Sequence, residues 1–73
     1  MHVAYKDLEK LVGRSFNMVD RIVDIYMLVD GDPQPIFLIK DRGVGHLRSI
    51  TAIELITLIR VINKPLYNYL NIK

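Results

Sequence analysis

Two apolar runs of β-type residues, Ile25–Val29 and Ile36–Ile39, flank the segment Asp30-Gly31-Asp32-Pro33-Gln34-Pro35. No other feature of the chain constrains its fold as much. Branched and aromatic side chains suit a pleated, half-buried surface. Two such runs around a turn cluster make an antiparallel hairpin. The first run reaches back toward Arg14, and there the spacing fits two templates. As a strand, Val23, Ile25, Met27 and Val29 share one face, with Asp20, Asp24 and Asp30 on the other together with Ile22, Tyr26 and Leu28. As a helix, Val19, Ile22, Val23, Tyr26 and Val29 line up. The β-branched content and the turn that follows favour the strand. A second turn, Asp41-Arg42-Gly43-Val44-Gly45, has two glycines able to take positive φ. His46-Leu47-Arg48-Ser49-Ile50 then returns as a third strand, with Leu47 inward and Arg48 outward.

Helices are expected at both ends. Tyr5, Leu8, Leu11 and Val12 recur at three- and four-residue spacing, and Gly13 suits a helix C-terminus, so a helix is expected from Ala4 to Val12. Thr51-Ala52-Ile53-Glu54 has the capping-box pattern and opens a helix that ends near Asn63, before Pro65. Residues 52, 53, 55, 56, 58, 59, 61 and 62 of that helix are all apolar. This arc is wider than packing on one sheet needs. Either the rest of the chain covers it, or a second copy or another partner does. The tail Leu66–Lys73 fits a short helix or an edge strand. The expected class is α+β: an N-terminal helix, a three-stranded antiparallel meander and a C-terminal helix, in one small domain over residues 1–73.

Composition sets limits on function. With 51% apolar and 25% charged residues, the chain is neither a disordered nor a low-complexity polymer. It has no cysteine, which excludes disulfides and thiolate zinc sites. The apolar runs fall far short of the ~20 residues that span a bilayer. Met1–Asp7 lacks the apolar core of a signal peptide, so a cytoplasmic protein with no membrane partner is expected. A domain of about 60 residues buries only roughly 60% of its unfolded surface. Little stability is then spare for a strained catalytic pocket, so a binding module is expected rather than an enzyme.

The chemistry-bearing residues agree with that expectation. Asp41, His46 and Ser49 supply the residue types of a hydrolase triad, but no nucleophile-elbow motif surrounds Ser49, and His46 and Ser49 are three apart along a strand. His2 and His46 lie on distant segments without metal-ligand spacing. Asp30, Asp32 and Asp41 do not form a calcium loop. Gly43-Val44-Gly45 is half of a phosphate loop and has no helix directly behind it. No catalytic set, cofactor or metal is expected. An enzyme subunit with its site between chains stays open as a further reading, without residues to carry it.

Charge is distributed unevenly along the chain. Residues 1–39 hold four basic against six acidic residues, for a net charge of −2, while residues 40–73 hold six against two, for +4. Lys40, Arg42, His46 and Arg48 straddle one hairpin and can present several donors together. Such a cluster can meet an acidic protein surface, grip phosphates, or simply keep a sheet edge solvated.

In size, charge and order of elements the whole chain resembles the small α+β proteins that lytic phages encode to capture a host machine. Among these it is most similar to small phage-encoded transcription regulators that bind host RNA polymerase. The resemblance implies surface competition, in which the regulator occupies a polymerase surface, displaces or blocks sigma factor and alters termination. It implies Tyr5, Lys6 and Lys10 on the first helix, or Arg42, His46 and Arg48 on the hairpin, as contacts. The competing expectation is a small nucleic-acid-binding protein or repressor using the basic hairpin. Against it, the last helix offers only Arg60 and Lys64 to a groove.

Overall fold

The computed structural model describes residues 4–70. Its elements are α1 (Tyr5–Leu8), which a 3-10 turn (Glu9–Leu11) continues, then β1 (Ser15–Met18), β2 (Arg21–Val29), β3 (Ile36–Asp41), β4 (Leu47–Thr51), α2 (Ala52–Ile62) and α3 (Lys64–Tyr69). The strands form one antiparallel sheet in the order β1-β2-β3-β4. The chain is therefore α+β, with an antiparallel meander and flanking helices. The meander has four strands where three were expected.

The additional strand comes from the stretch expected to be a single one. The chain folds back at Val19-Asp20, so that Phe16 pairs with Val23 and Met18 with Arg21. Val19 takes φ 57° at this turn. A β-branched residue in left-handed backbone costs roughly 1–2 kcal/mol. Burial across the hairpin offsets that cost. Phe16 and Val23 are almost completely buried, and each contributes about 1.5–3 kcal/mol.

A bulge resets the faces of β2. Ile25 stands opposite Ile39 and Met27 opposite Leu38, leaving Tyr26 as an extra residue. Beyond it the alternation shifts by one. Val23 and Ile25 face the helices, as does Leu28 opposite Phe37, but Met27 and Val29 do not. The expected single face of Val23, Ile25, Met27 and Val29 is broken at this point. The faces of β4 are also the reverse of the expectation. Arg48 and Ile50 stand opposite Ile39 and Phe37 on the helix side, while Leu47 and Ser49 lie on the other side. His46 precedes the strand.

One face of the sheet is covered by helices. Phe37, Ile25, Val23, Leu55, Ile59, Leu11 and Leu70 form the fully buried centre. α2 contributes Ala52, Leu55, Ile56 and Ile59 to this core and leaves Ile53 and Val61 in solvent. Its apolar arc is thus covered only in part by the described residues.

The start of α2 is tied to the β2–β3 loop. Three of its leading amides have partners: Ala52 N donates to the Pro35 carbonyl at 3.0 Å, Ile53 N to Gln34 Oε1 at 2.8 Å and Glu54 N to Thr51 Oγ1 at 3.2 Å. The Thr51 hydroxyl also donates to Glu54 Oε1 at 2.8 Å. This satisfies groups that a helix end otherwise leaves open.

Asn63 closes α2 through its amide and caps α3 through its side chain, which accepts from Leu66 N at 3.1 Å. The tail is thus helical up to Tyr69, and residues 71–73 lie outside the description. The N-terminal helix is shorter than expected, because the 3-10 turn follows Leu8 and Val12 is already extended.

Candidate functional site

Among the described residues, no helix packs on the second face of the sheet. Alternation places Ile22, Asp24, Leu38, Lys40, Leu47 and Ser49 there, and the bulge adds both Tyr26 and Met27 opposite Leu38. Tyr26, Met27 and Leu47 keep 53%, 47% and 51% of their surface exposed, the first two on β2 and the third on β4, with Leu38 and Lys40 of β3 between them. Several large apolar side chains exposed on one sheet face make it the candidate docking surface.

Charged groups rim this face. Arg42 lies across Asp24 with two contacts, Nη2 to Oδ1 at 2.6 Å and Nε to Oδ2 at 3.3 Å. The hydrogen bonds from Arg42 outweigh desolvation and hold the Asp24 carboxyl below its ordinary range. The same hydrogen bonds push the Arg42 guanidinium up. Lys40 Nζ sits 5.7 Å from the centre of the Tyr26 ring, within cation–π range. Lys40 and Arg42 therefore border the exposed apolar residues from one end of β3.

The four basic residues of the hairpin do not form one array. Lys40 and Arg42 belong to the helix-free face. Arg48 belongs to the other face, where its Nη2 donates to Asp41 Oδ1 at 2.9 Å. Arg21 Nη1 donates to the second oxygen of the same carboxylate at 3.0 Å. Asp41 is the buried charged residue of the sheet and draws in two half-exposed arginines from neighbouring strands. His46 is exposed in the turn between β3 and β4.

The N-terminal candidates lie elsewhere. Tyr5 is raised by desolvation first and then by the Asp30 carboxylate, which places it near the far end of the β2–β3 ladder from Lys40 and Arg42. Lys10 pairs with Asp7 at 3.1 Å, and Lys6 is exposed on α1. Tyr5, Lys6 and Lys10 therefore make a patch separate from the hairpin.

The residues with catalytic or metal-binding chemistry are not assembled either. Asp41 points to the helix side and is held by two arginines, whereas Ser49 projects from the opposite face. Among the described residues, no group of three or more His, Asp or Glu is placed to hold a metal ion, and His2 lies outside them. Among the same residues, no helix is long and apolar enough to cross a membrane.

The sequence reading puts Tyr26 on the face of Asp24, as found, but missed Met27 and Leu47 as surface residues. Their apolar character pointed to the core, and the bulge that turns Met27 outward has no glycine or proline to announce it. No family model, no curated protein and no solved structure matches this chain.

Proposed function

We propose that this chain is a protein-binding regulator that docks through the helix-free face of its sheet. The exposed apolar patch of Tyr26, Met27 and Leu47, rimmed by Lys40 and Arg42, carries this reading. The apolar centre supplies desolvation energy, and Lys40, beside the mutually neutralised Asp24–Arg42 pair, offers a cation to an acidic group of the partner. The likeness in size and layout to small phage regulators makes bacterial RNA polymerase the partner of choice, with competition against sigma factor as the mechanism. A nucleic-acid role draws less support, because Arg42 is already paired with Asp24 and Arg48 with Asp41 on the opposite face.

The test is retention of purified bacterial RNA polymerase core on the immobilised chain after nuclease treatment, followed by challenge with sigma factor. Retention that sigma factor competes away supports the proposal. No retention, or retention lost with nuclease, removes the polymerase from it.

A further inference from the structure

β4 is the last strand of the sheet, and among the described residues no strand pairs with its outer side. One contact fixes which backbone groups face that open edge. The Ala52 amide donates to the Pro35 carbonyl, and antiparallel pairs alternate between bonded and non-bonded. Ile50 opposite Phe37 and Arg48 opposite Ile39 are then the bonded pairs. The N–H and C=O of Leu47 and Ser49, together with the N–H of Thr51, point outward.

A hollow runs beside this edge under α2. Ile50 and Glu54 line it throughout, with Ile53 and Leu58 from α2 and with Arg48 at one end. Its more enclosed part has a volume of about 240 Å³. Ile50 and Arg48 project to this side of the strand, so the hollow carries a carboxylate near Ile50 and a guanidinium two residues away.

We propose that β4 accepts an extended segment of another protein as a fifth, antiparallel strand. The segment carries Lys or Arg followed two residues later by Asp or Glu. In an antiparallel guest, the residue opposite Ile50 precedes the residue opposite Arg48 by two positions. Both project toward the hollow. The first lays its aliphatic stem on Ile50, Ile53 and Leu58 and brings its cation to Glu54. The second brings its carboxylate to Arg48, which is half-exposed and binds Asp41 through Nη2. The main chain of the guest meets the outward groups of Leu47, Ser49 and Thr51, which is the strand-addition mode of recognition. This site shares Leu47 with the helix-free face, but its charge recognition lies on the helix side, at Glu54 and Arg48.

The probe is the capped synthetic peptide Thr-Lys-Val-Glu-Val, compared with its charge-exchanged form Thr-Glu-Val-Lys-Val. Binding is followed by amide NMR shifts of the full chain. The first peptide is expected to shift the Leu47, Ser49 and Thr51 amides and to bind at least about fivefold tighter than the exchanged form, as expected when two ion pairs are made rather than reversed. Ser49→Pro removes an outward amide that β3 does not use, so the chain keeps its unfolding midpoint and loses the peptide. Glu54→Lys lowers or inverts the preference between the two peptides. The proposal is overturned if no amide of residues 47–51 responds, if the two peptides bind equally, or if Ser49→Pro binds unchanged. It is also overturned if sedimentation of the free chain in the ultracentrifuge shows a dimer that Ser49→Pro dissociates, because a second copy is then the occupant.

Discussion

Three side chains show how individual residues set local stability. Val19 is fully exposed at a left-handed turn position, so nothing in its own packing repays its strain. Val19→Asn keeps the turn and suits that backbone. It is expected to stabilise the chain by about 1 kcal/mol, read as a higher urea midpoint at unchanged slope. Asp41 holds Arg21 and Arg48 together on a buried carboxylate. Asp41→Ala leaves two like charges adjacent without their acceptor. The expected loss is about 1–3 kcal/mol, limited by the exposure of both arginines. Asp24 titrates lower in the folded chain than in the unfolded one because Arg42 donates to it. Its contribution is therefore complete above the unfolded pKa and is lost as pH falls through the lower folded value. Between about pH 6 and about pH 2, the wild type should lose more of its urea midpoint than Asp24→Asn does.

At the scale of elements, the legible parts of the sequence were those with strong local chemistry. Thr51 and Glu54 announced the start of α2, Pro65 its end, and Asp30–Pro35 the central hairpin. The β1–β2 hairpin was not legible because Val19-Asp20 carries no glycine, proline or asparagine and puts a valine at the left-handed position, and a turn made by a strained valine depends on the packing of Phe16 against Val23. The faces of β2 and β4 were unreadable for a related reason. One uncoded bulge residue at Tyr26 shifts every later side chain in β2, and Arg48 turns inward because Asp41 awaits it there. Among the site residues, the proximity of Lys40 and Arg42 was readable, but their separation from Arg48 was not. The β2–β3 loop also acts on a distant helix end, which sequence spacing does not reveal. Gln34→Ala removes the acceptor of the Ile53 amide and should cost about 1 kcal/mol in thermal or urea unfolding, comparable to Thr51→Ala. Equal stability of Gln34→Ala and the wild type would show that water replaces the glutamine without loss.

The described residues form two layers, a sheet and the helices on one of its faces. Helices bury one face of the sheet, and the other presents Tyr26, Met27 and Leu47 to solvent beside Lys40 and Arg42. A chain of this size gains little from exposing large apolar groups unless a partner covers them. The Asp24–Arg42 pair orders the rim of that face without adding net charge, and Lys40 supplies the free cation next to the patch. The most direct test is the affinity of bacterial RNA polymerase core for three forms of the chain: wild type, Met27→Glu/Leu47→Glu on the helix-free face, and Val61→Glu on the solvent side of α2. All three substituted side chains are exposed, so folding should be retained and is verified by unfolding curves. Docking through the helix-free face predicts at least about tenfold weaker binding for the double variant, equivalent to about 1.4 kcal/mol, with Val61→Glu matching the wild type. Equal affinity of all three forms would contradict the account.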